Sequence, residues 1–536
     1  MSRIQRTCAA WRYKHLLNIS RLLGCGWCSR VMAKGPCRLL TFINIISKGA
    51  VIMKTVQEYK DSIRAMNILV YAFGEKVEQV VDHPCFEPTL NAIALTYQFA
   101  KETETESLLT AQSPFINKPV NRFLHICQSP EDLIKRGELG KFMTPMHGAC
   151  IGARCVGTGA LNTIYAVSYD IDKKFGTEYH QRFLKFLKYV QEEDLVCSGM
   201  VTDAKGDRSL SPSQQEDPDM YLHVVERRKD GIVVRGAKAH QSGAALAHFN
   251  IVVPTTSLKE NEKEYALAFA VPSNAPGITH IAEGPAPNAR RLMDDDEMDF
   301  GNYKYGVHGC TLVVFEDVFI PNEMIFFDGE TEFAGIMAST FGQFQRLATA
   351  SCKSGHCDLA CGAAAIAAEY NGIEKLSHVK DKLVEMSFQS ALAFGTALGS
   401  GTKGKPTASG VYLPDPMLVN AAKLQCVDAV WLCSKLATEI VGGIVCTAPT
   451  KKDFDSKEIG AFVEKYFKGK AGVSTEDRVR IARLIEYLCG QGSVVPTESS
   501  HGGGPAAVQR LGMRTAFNMS YLKACAQKMA GIKPKK

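Results

Sequence analysis

The chain has 536 residues, 46% hydrophobic and 22% charged, a composition ordinary for a globular protein and long enough for two to four structural units. The net charge of +6 misleads: residues 1–52 hold nine Lys/Arg and no acid, so the remainder carries 53 basic against 56 acidic residues and offers no basic stripe for nucleic acid. No apolar run approaches the roughly 18 to 20 residues that cross a bilayer, so no membrane span is expected.

The extension 1–52 sets Arg3, Arg6, Arg12 and Arg21 among apolar residues, as a targeting segment does. It reads equally as sequence upstream of a true start at Met53, and this second reading is preferred because MKTVQEYKDSIRAMN opens a charged helical pattern there. The Cys25 and Cys28 pair within it is a weak signal. Eighteen cysteines, with Cys8, Cys25, Cys28 and Cys37 in the extension, are too sparse and irregular for a disulfide framework, and they suit a reducing cytoplasm. Residues 53–196 show apolar positions returning every three or four and predict a helical domain. From 197 to 330 short β-branched and aromatic runs broken by Asp-Gly, Pro and Gly predict antiparallel strands. The helical period resumes over 331–536, with Ser474 placed to cap a helix starting at Thr475, and predicts a closing bundle. Helices, strands, then helices make an α+β fold without repeats.

The alanine-rich run Phe333–Gly372 carries Cys352, Lys353, His356, Cys357 and Cys361. On a helix Cys352 and His356 share one face, as do Cys357 and Cys361, which describes either a metal edge or, as preferred, small thiols filling a helix seam. Three polar, loop-like segments also stand out. In 201–213, Lys205 and Arg208 suit an anionic cofactor tail while Thr202 faces a ring system. In 235–244, His240, Gln241 and Ser242 suit hydrogen bonds to a flat ring, without the glycine spacing of a phosphate-binding loop. In 496–505, Glu498 and His501 beside three glycines suit proton transfer. The first also reads as an ordinary surface turn and the third as a helix-capping loop. Cys150 and Cys155, with His147 near, have a spacing compatible with an iron–sulfur edge.

Taken in order, MVTDAKGDRSLSPS, VVRGAKAHQSGA, VVFEDVFIPNE, FAGIMASTFGQFQR, the Cys352–Lys353 pair, AAEYNGIEK, EIVGG and TESSHGGG resemble the 4-hydroxybutyryl-CoA dehydratases (vinylacetyl-CoA isomerases), a branch of the flavin-dependent 4-hydroxyphenylacetate 3-hydroxylase family. The likeness runs from about Met53 to the C-terminus. It implies an acyl-CoA dehydrogenase-like fold, usually homotetrameric, with FAD between the β domain and the bundle at Thr202, His240, Gln241 and Ser242. It also implies an acyl-CoA substrate and, opposite the flavin, a [4Fe-4S] cluster held by three cysteines and a histidine. Cys155 and Cys352 fall on two cluster positions, and Lys353 and Glu498 on active-site positions. Four positions depart: Gln345 stands for the cluster histidine, Ile151 for a cluster thiol with Cys150 one residue away, Cys310 for a glutamate and Thr349 for a tyrosine. The expected function is FAD-dependent dehydration or isomerisation of a hydroxyacyl- or enoyl-CoA, with Cys150, Cys155 and Cys352 holding a cluster. A cluster-free flavin monooxygenase or acyl-CoA oxidoreductase is the alternative, and a binding protein without activity a third reading.

Overall fold

The computed structural model describes residues 53–284, 289, 292, 296–306, 309–490, 494–500 and 502–532. The basic extension, its Cys25 and Cys28 pair, and His501 lie outside the described residues.

Helix α1 (Val56–Met66) begins with a capping box: Glu58 N–H donates to the Thr55 hydroxyl at 3.1 Å and Thr55 N–H to the Glu58 carboxylate at 2.8 Å. It buries Tyr59, Ile63 and Met66, one stripe three or four residues apart. Helices α2 (Glu87–Gln98), α3 (Pro130–His147), α4 (Ala153–Phe175) and α5 (Tyr179–Glu192) follow. Ser129 caps α3 by accepting from Asp132 N–H, and Pro130 sits in the first turn, where its missing N–H costs nothing.

Two sheets form the middle of the chain. Six strands run in the order Glu75–Val77 (β2), Val70–Ala72 (β1), Ile278–Ala282 (β10), Cys310–Pro321 (β11), Gly231–Ser242 (β7) and His223–Arg228 (β6). The second sheet orders Ile325–Asp328 (β12), Leu267–Pro272 (β9), Phe249–Val252 (β8) and Cys197–Met200 (β5), while Thr110–Ser113 (β3) and Lys118–Asn121 (β4) pair as a separate hairpin. Two pairings, β1 with β10 and β5 with β8, are parallel, which corrects the expectation of a wholly antiparallel domain. The physical reason is connectivity: each pair joins strands far apart in sequence, so no tight turn forces them antiparallel. The three-residue strands β1 and β2 also show that 53–196 is not purely helical.

The bundle is built on α6 (Glu332–Asn371), a 40-residue helix, with α7 (Ser377–Thr402), α8 (Pro416–Val441), α9 (Thr475–Cys489), α10 (Val494–Ser500), α11 (Ala506–Ala516) and α12 (Met519–Met529). Asp477 N–H donates to the Ser474 hydroxyl at 3.0 Å, so the expected cap is present. Cys357, Ala360, Ala363, Ala364 and Ala367 of α6 bury against Ala429, Cys433 and Ala437 of α8 in one core cluster. Cys357 therefore packs in the seam, and the Cys361 thiol donates to Leu383 C=O at 3.6 Å. Part of the segment 496–505 expected as a loop is helical: α10 carries Glu498, and the turn after it is made by Gly502, Gly503 and Gly504, all at positive φ.

Candidate active site

Helix α3 approaches α6 unusually closely because Gly140 faces it; a Cβ there would stand 3.3 Å from Ala348 O and 3.5 Å from Cys352 N. The turn from α3 to α4 carries Cys150 and Ile151 between Gly148 (φ 61°) and Gly152 (φ 59°). A Cβ on Gly152 would meet Gly243 N at 3.2 Å, so this turn abuts the end of β7 just beyond Ser242. The same turn feeds Cys155 into the first coil of α4. The thiol-bearing segment is thus held between the long bundle helix and the sheet.

Cys150, Cys155 and Cys352 line one cavity together with His147, Arg136 and Thr144. The Cys150 thiol accepts from Gly152 N–H at 3.3 Å, and the Cys352 thiol donates to Thr349 C=O at 3.4 Å. Burial pushes all three thiols up, Cys155 to about 11, although the Lys353 cation works against the shift, so they are thiols rather than thiolates at neutral pH. His147 is held neutral: burial lowers it to about 4. Its Nδ1 accepts from Ala149 N–H at 3.1 Å, which assigns the ring proton to Nε2. His356 is fully enclosed and burial lowers it too, so the face it shares with Cys352 is no open metal edge.

Behind the thiols, Lys353 Nζ donates to Glu498 Oε2 at 2.6 Å, with side chains 1% and 5% exposed. Burial alone would lower the lysine, but the Glu498 carboxylate against it outweighs that and holds it well above its ordinary value, so it is a fixed cation. Helix α10 and the turn after it are each anchored: Lys423 Nζ donates to Ser499 C=O at 3.0 Å, and Arg346 Nε to Gly503 C=O at 3.0 Å. These two anchors, like Arg136, were not singled out in the sequence. For Arg136 a signal existed, since it shares an α3 stripe with Gly140, Met143 and His147 at helical spacing.

On the sheet side, Thr202, His240, Gln241 and Ser242 come together at the end of β7. Gln241 Nε2 and Ala239 N–H donate to Thr202 C=O at 3.0 and 2.9 Å. His240 is a non-glycine residue at φ 61°, with its N–H on the Glu283 carboxylate at 2.9 Å and an exposed ring. Ser242 Oγ and Cys310 Sγ, opposite each other on β7 and β11, stand 3.4 Å apart. Lys205, itself at φ 74°, is half-buried, and Arg208 is exposed on the loop 201–213. The cradle thus offers two hydroxyls, backbone groups and an imidazole, with basic side chains toward solvent. This neutral donor set suits a flavin ring with its phosphates outward.

The cluster is a different matter. Gln345 stands where an imidazole is expected, and its amide is engaged at both ends: Nε2 donates to Cys155 C=O at 3.2 Å, and Oε1 accepts from the Cys155 thiol at 3.7 Å. A Cβ on Gly159 would lie 2.9 Å from Gln345 Nε2, so the amide is packed tight on α4. Among the described residues no three Cys, His, Asp or Glu side chains are grouped to hold a metal ion. The three thiols share a cavity, but an amide is a poor iron ligand and this one is already committed, so the residues do not fit a four-ligand cluster.

Residues 55–327 match the profile for the 4-hydroxyphenylacetate 3-hydroxylase N-terminal region, and residues 334–531 that for the C-terminal region. The chain is 40% identical over 491 residues to 4-hydroxybutyryl-CoA dehydratase/vinylacetyl-CoA-Δ-isomerase of Clostridium aminobutyricum, covering 90% of this chain and 100% of that one. It is 27% identical over 441 residues to the 4-hydroxyphenylacetate 3-monooxygenase oxygenase component of Thermus thermophilus, covering 80% and 87%. Among solved structures, an oxygen-tolerant archaeal 4-hydroxybutyryl-CoA dehydratase from N. maritimus superposes with TM-score 0.87 at 39% identity, covering 90% of this chain and 96% of that one. An oxygenase component of 4-hydroxyphenylacetate 3-monooxygenase, complexed with FAD, shares the fold with TM-score 0.79 at 23% identity, covering 89% and 98%. With both halves matched to one family and a dehydratase relative spanned end to end, this chain of acyl-CoA dehydrogenase-like α+β fold belongs to the 4-hydroxyphenylacetate 3-hydroxylase family.

Proposed function

We propose that the chain is an FAD-dependent enzyme that dehydrates or isomerises a hydroxyacyl- or enoyl-CoA. The observation that carries this reading is the buried Lys353–Glu498 pair beside Cys352, in a chain 40% identical to a 4-hydroxybutyryl-CoA dehydratase over its full length. Thr202, Gln241 and Ser242 would hold the flavin ring, exposed His240 its edge, and Lys205 and Arg208 its phosphates. FAD, when bound, supplies a reversible electron acceptor. Glu498 accepts a proton from the carbon beside the thioester, and Lys353, kept protonated, stabilises negative charge that develops on the thioester oxygen. His147, neutral with its proton on Nε2, lines the cavity of the three thiols, where it can donate a hydrogen bond. No step passes through a cluster, because Gln345 and Ile151 do not complete one.

Exposed apolar side chains at Val384, Phe388 and Trp431 in the bundle, and at Leu511 and Tyr521 near the C-terminus, support the homotetramer the family resemblance implies. Fourteen free cysteines among the described residues support a reducing cytoplasm. The reading is tested by purifying the full chain, measuring bound FAD, and following 4-hydroxybutyryl-CoA and vinylacetyl-CoA by chromatography. Conversion of either to crotonyl-CoA with FAD bound is expected. Hydroxylation of a phenol by added reduced flavin and dioxygen, with no acyl-CoA turnover, would replace it with the monooxygenase reading.

A further inference from the structure

The cavity does not end at the thiols. It continues along α3 to Arg136, whose residue is 6% exposed and whose two terminal nitrogens have no hydrogen-bond partner. The guanidinium lies 5.4 Å from the centre of the Phe344 ring, and its polar neighbour is the Cys127 thiol, which can accept from it but is kept uncharged by burial, so neither compensates the charge. Asp132 is the one acid lining the cavity, and its oxygens are already used: Oδ1 by His125 Nε2 at 3.0 Å, Oδ2 by Gln128 N–H and the Ser129 hydroxyl, both at 2.9 Å. A second guanidinium, Arg122, lines the same end, with Nε and one terminal nitrogen spent on backbone carbonyls of residues 107, 108 and 110. Two buried cations thus line a cavity whose one carboxylate is committed, and a buried charge without a partner is expensive. Arg136 presents two parallel donors, the geometry that a planar carboxylate accepts as a fork.

We propose that this end of the cavity is a carboxylate-binding subsite organised by Arg136. Under the acyl-CoA reading above, on which this assignment of source rests, the carboxylate is the far end of the acyl group, Arg136 lying down the cavity from Cys352. A free short-chain carboxylate is the other source of the same chemistry.

The test is calorimetric titration of the flavin-loaded full chain at constant ionic strength with acetate, succinyl-CoA and butyryl-CoA. Expected are saturable acetate binding and at least about tenfold tighter binding of succinyl-CoA than of butyryl-CoA, since a site built for a polar group rejects the analogue lacking it. Arg136→Gln, which also removes the uncompensated buried charge, abolishes both effects. Arg136→Lys, which keeps the charge but not the fork, weakens them. Saturable acetate binding without discrimination between the acyl-CoAs assigns the subsite to a free carboxylate. Absence of acetate binding together with equal affinity for the two acyl-CoAs overturns the proposal, as does unchanged binding in Arg136→Gln. Failure of both acyl-CoAs to bind counts against the proposed function, while the acetate arm still decides the subsite.

Discussion

The Lys353–Glu498 pair is the feature whose removal has the largest expected consequence. Its partners are 2.6 Å apart and their side chains 1% and 5% exposed, so neither charge has solvent to fall back on. Glu498→Gln keeps the shape and deletes the negative charge, leaving Lys353 buried and uncompensated, which costs about 3–5 kcal/mol. Lys353→Met takes the cation away from a buried carboxylate, at a similar cost. In the double variant neither charge of the pair remains, and only the amide that replaces the carboxylate contributes, at most about 1–3 kcal/mol. A double-mutant cycle by urea unfolding should therefore show coupling well above 1 kcal/mol. The sign of the pH dependence follows from the raised lysine: its stabilisation is complete below its unfolded value of 10.5 and is lost only as pH rises through the still higher folded value. In Glu498→Gln burial acts on the lysine without the carboxylate and lowers it, so the deficit should shrink as pH rises from 7 to 9 while the intact pair shows no change over that range. Single-variant costs that add to the double within about 0.5 kcal/mol would refute the idea that the two charges are desolvated together.

Three further outcomes are expected. Gln345→His combined with Ile151→Cys should gain iron and labile sulfide on anaerobic reconstitution, measured by metal and sulfide analysis, while the unaltered chain gains neither. Acidification should destabilise the protein between about pH 6.5 and 4, because burial holds neutral His147 and His280 at about 4, and stability present above the unfolded value is lost as pH falls through the folded one. His280→Gln should remove about 3 kcal/mol of that pH-dependent loss, read as the urea midpoint at pH 7 against pH 4. Gly157→Ala should destabilise by at least about 1–3 kcal/mol, read as soluble yield and urea midpoint, because its Cβ would stand 2.0 Å from Cys197 O, where α4 crosses β5.

Much of the architecture was legible locally. Stripes such as Tyr59, Ile63 and Met66, the Ser474 cap and the alanine-rich seam of α6 are properties of neighbouring residues, and their periodicity needs no knowledge of distant partners. Gln345, Ile151 and Cys310 were also legible as departures from a pattern. The tertiary structure alone decided what those departures mean. Gln345 is committed to Cys155, which lies 190 positions away in the chain; Glu498 meets Lys353 across 145 positions; and α10 forms where glycine and proline had suggested a loop. The parallel pairing of β1 with β10 and the uncompensated charge of Arg136 belong to the same class. A helix period is written into contiguous residues, whereas the partner of a buried charge or a strand edge is chosen by packing among elements remote in the chain, which no local pattern records.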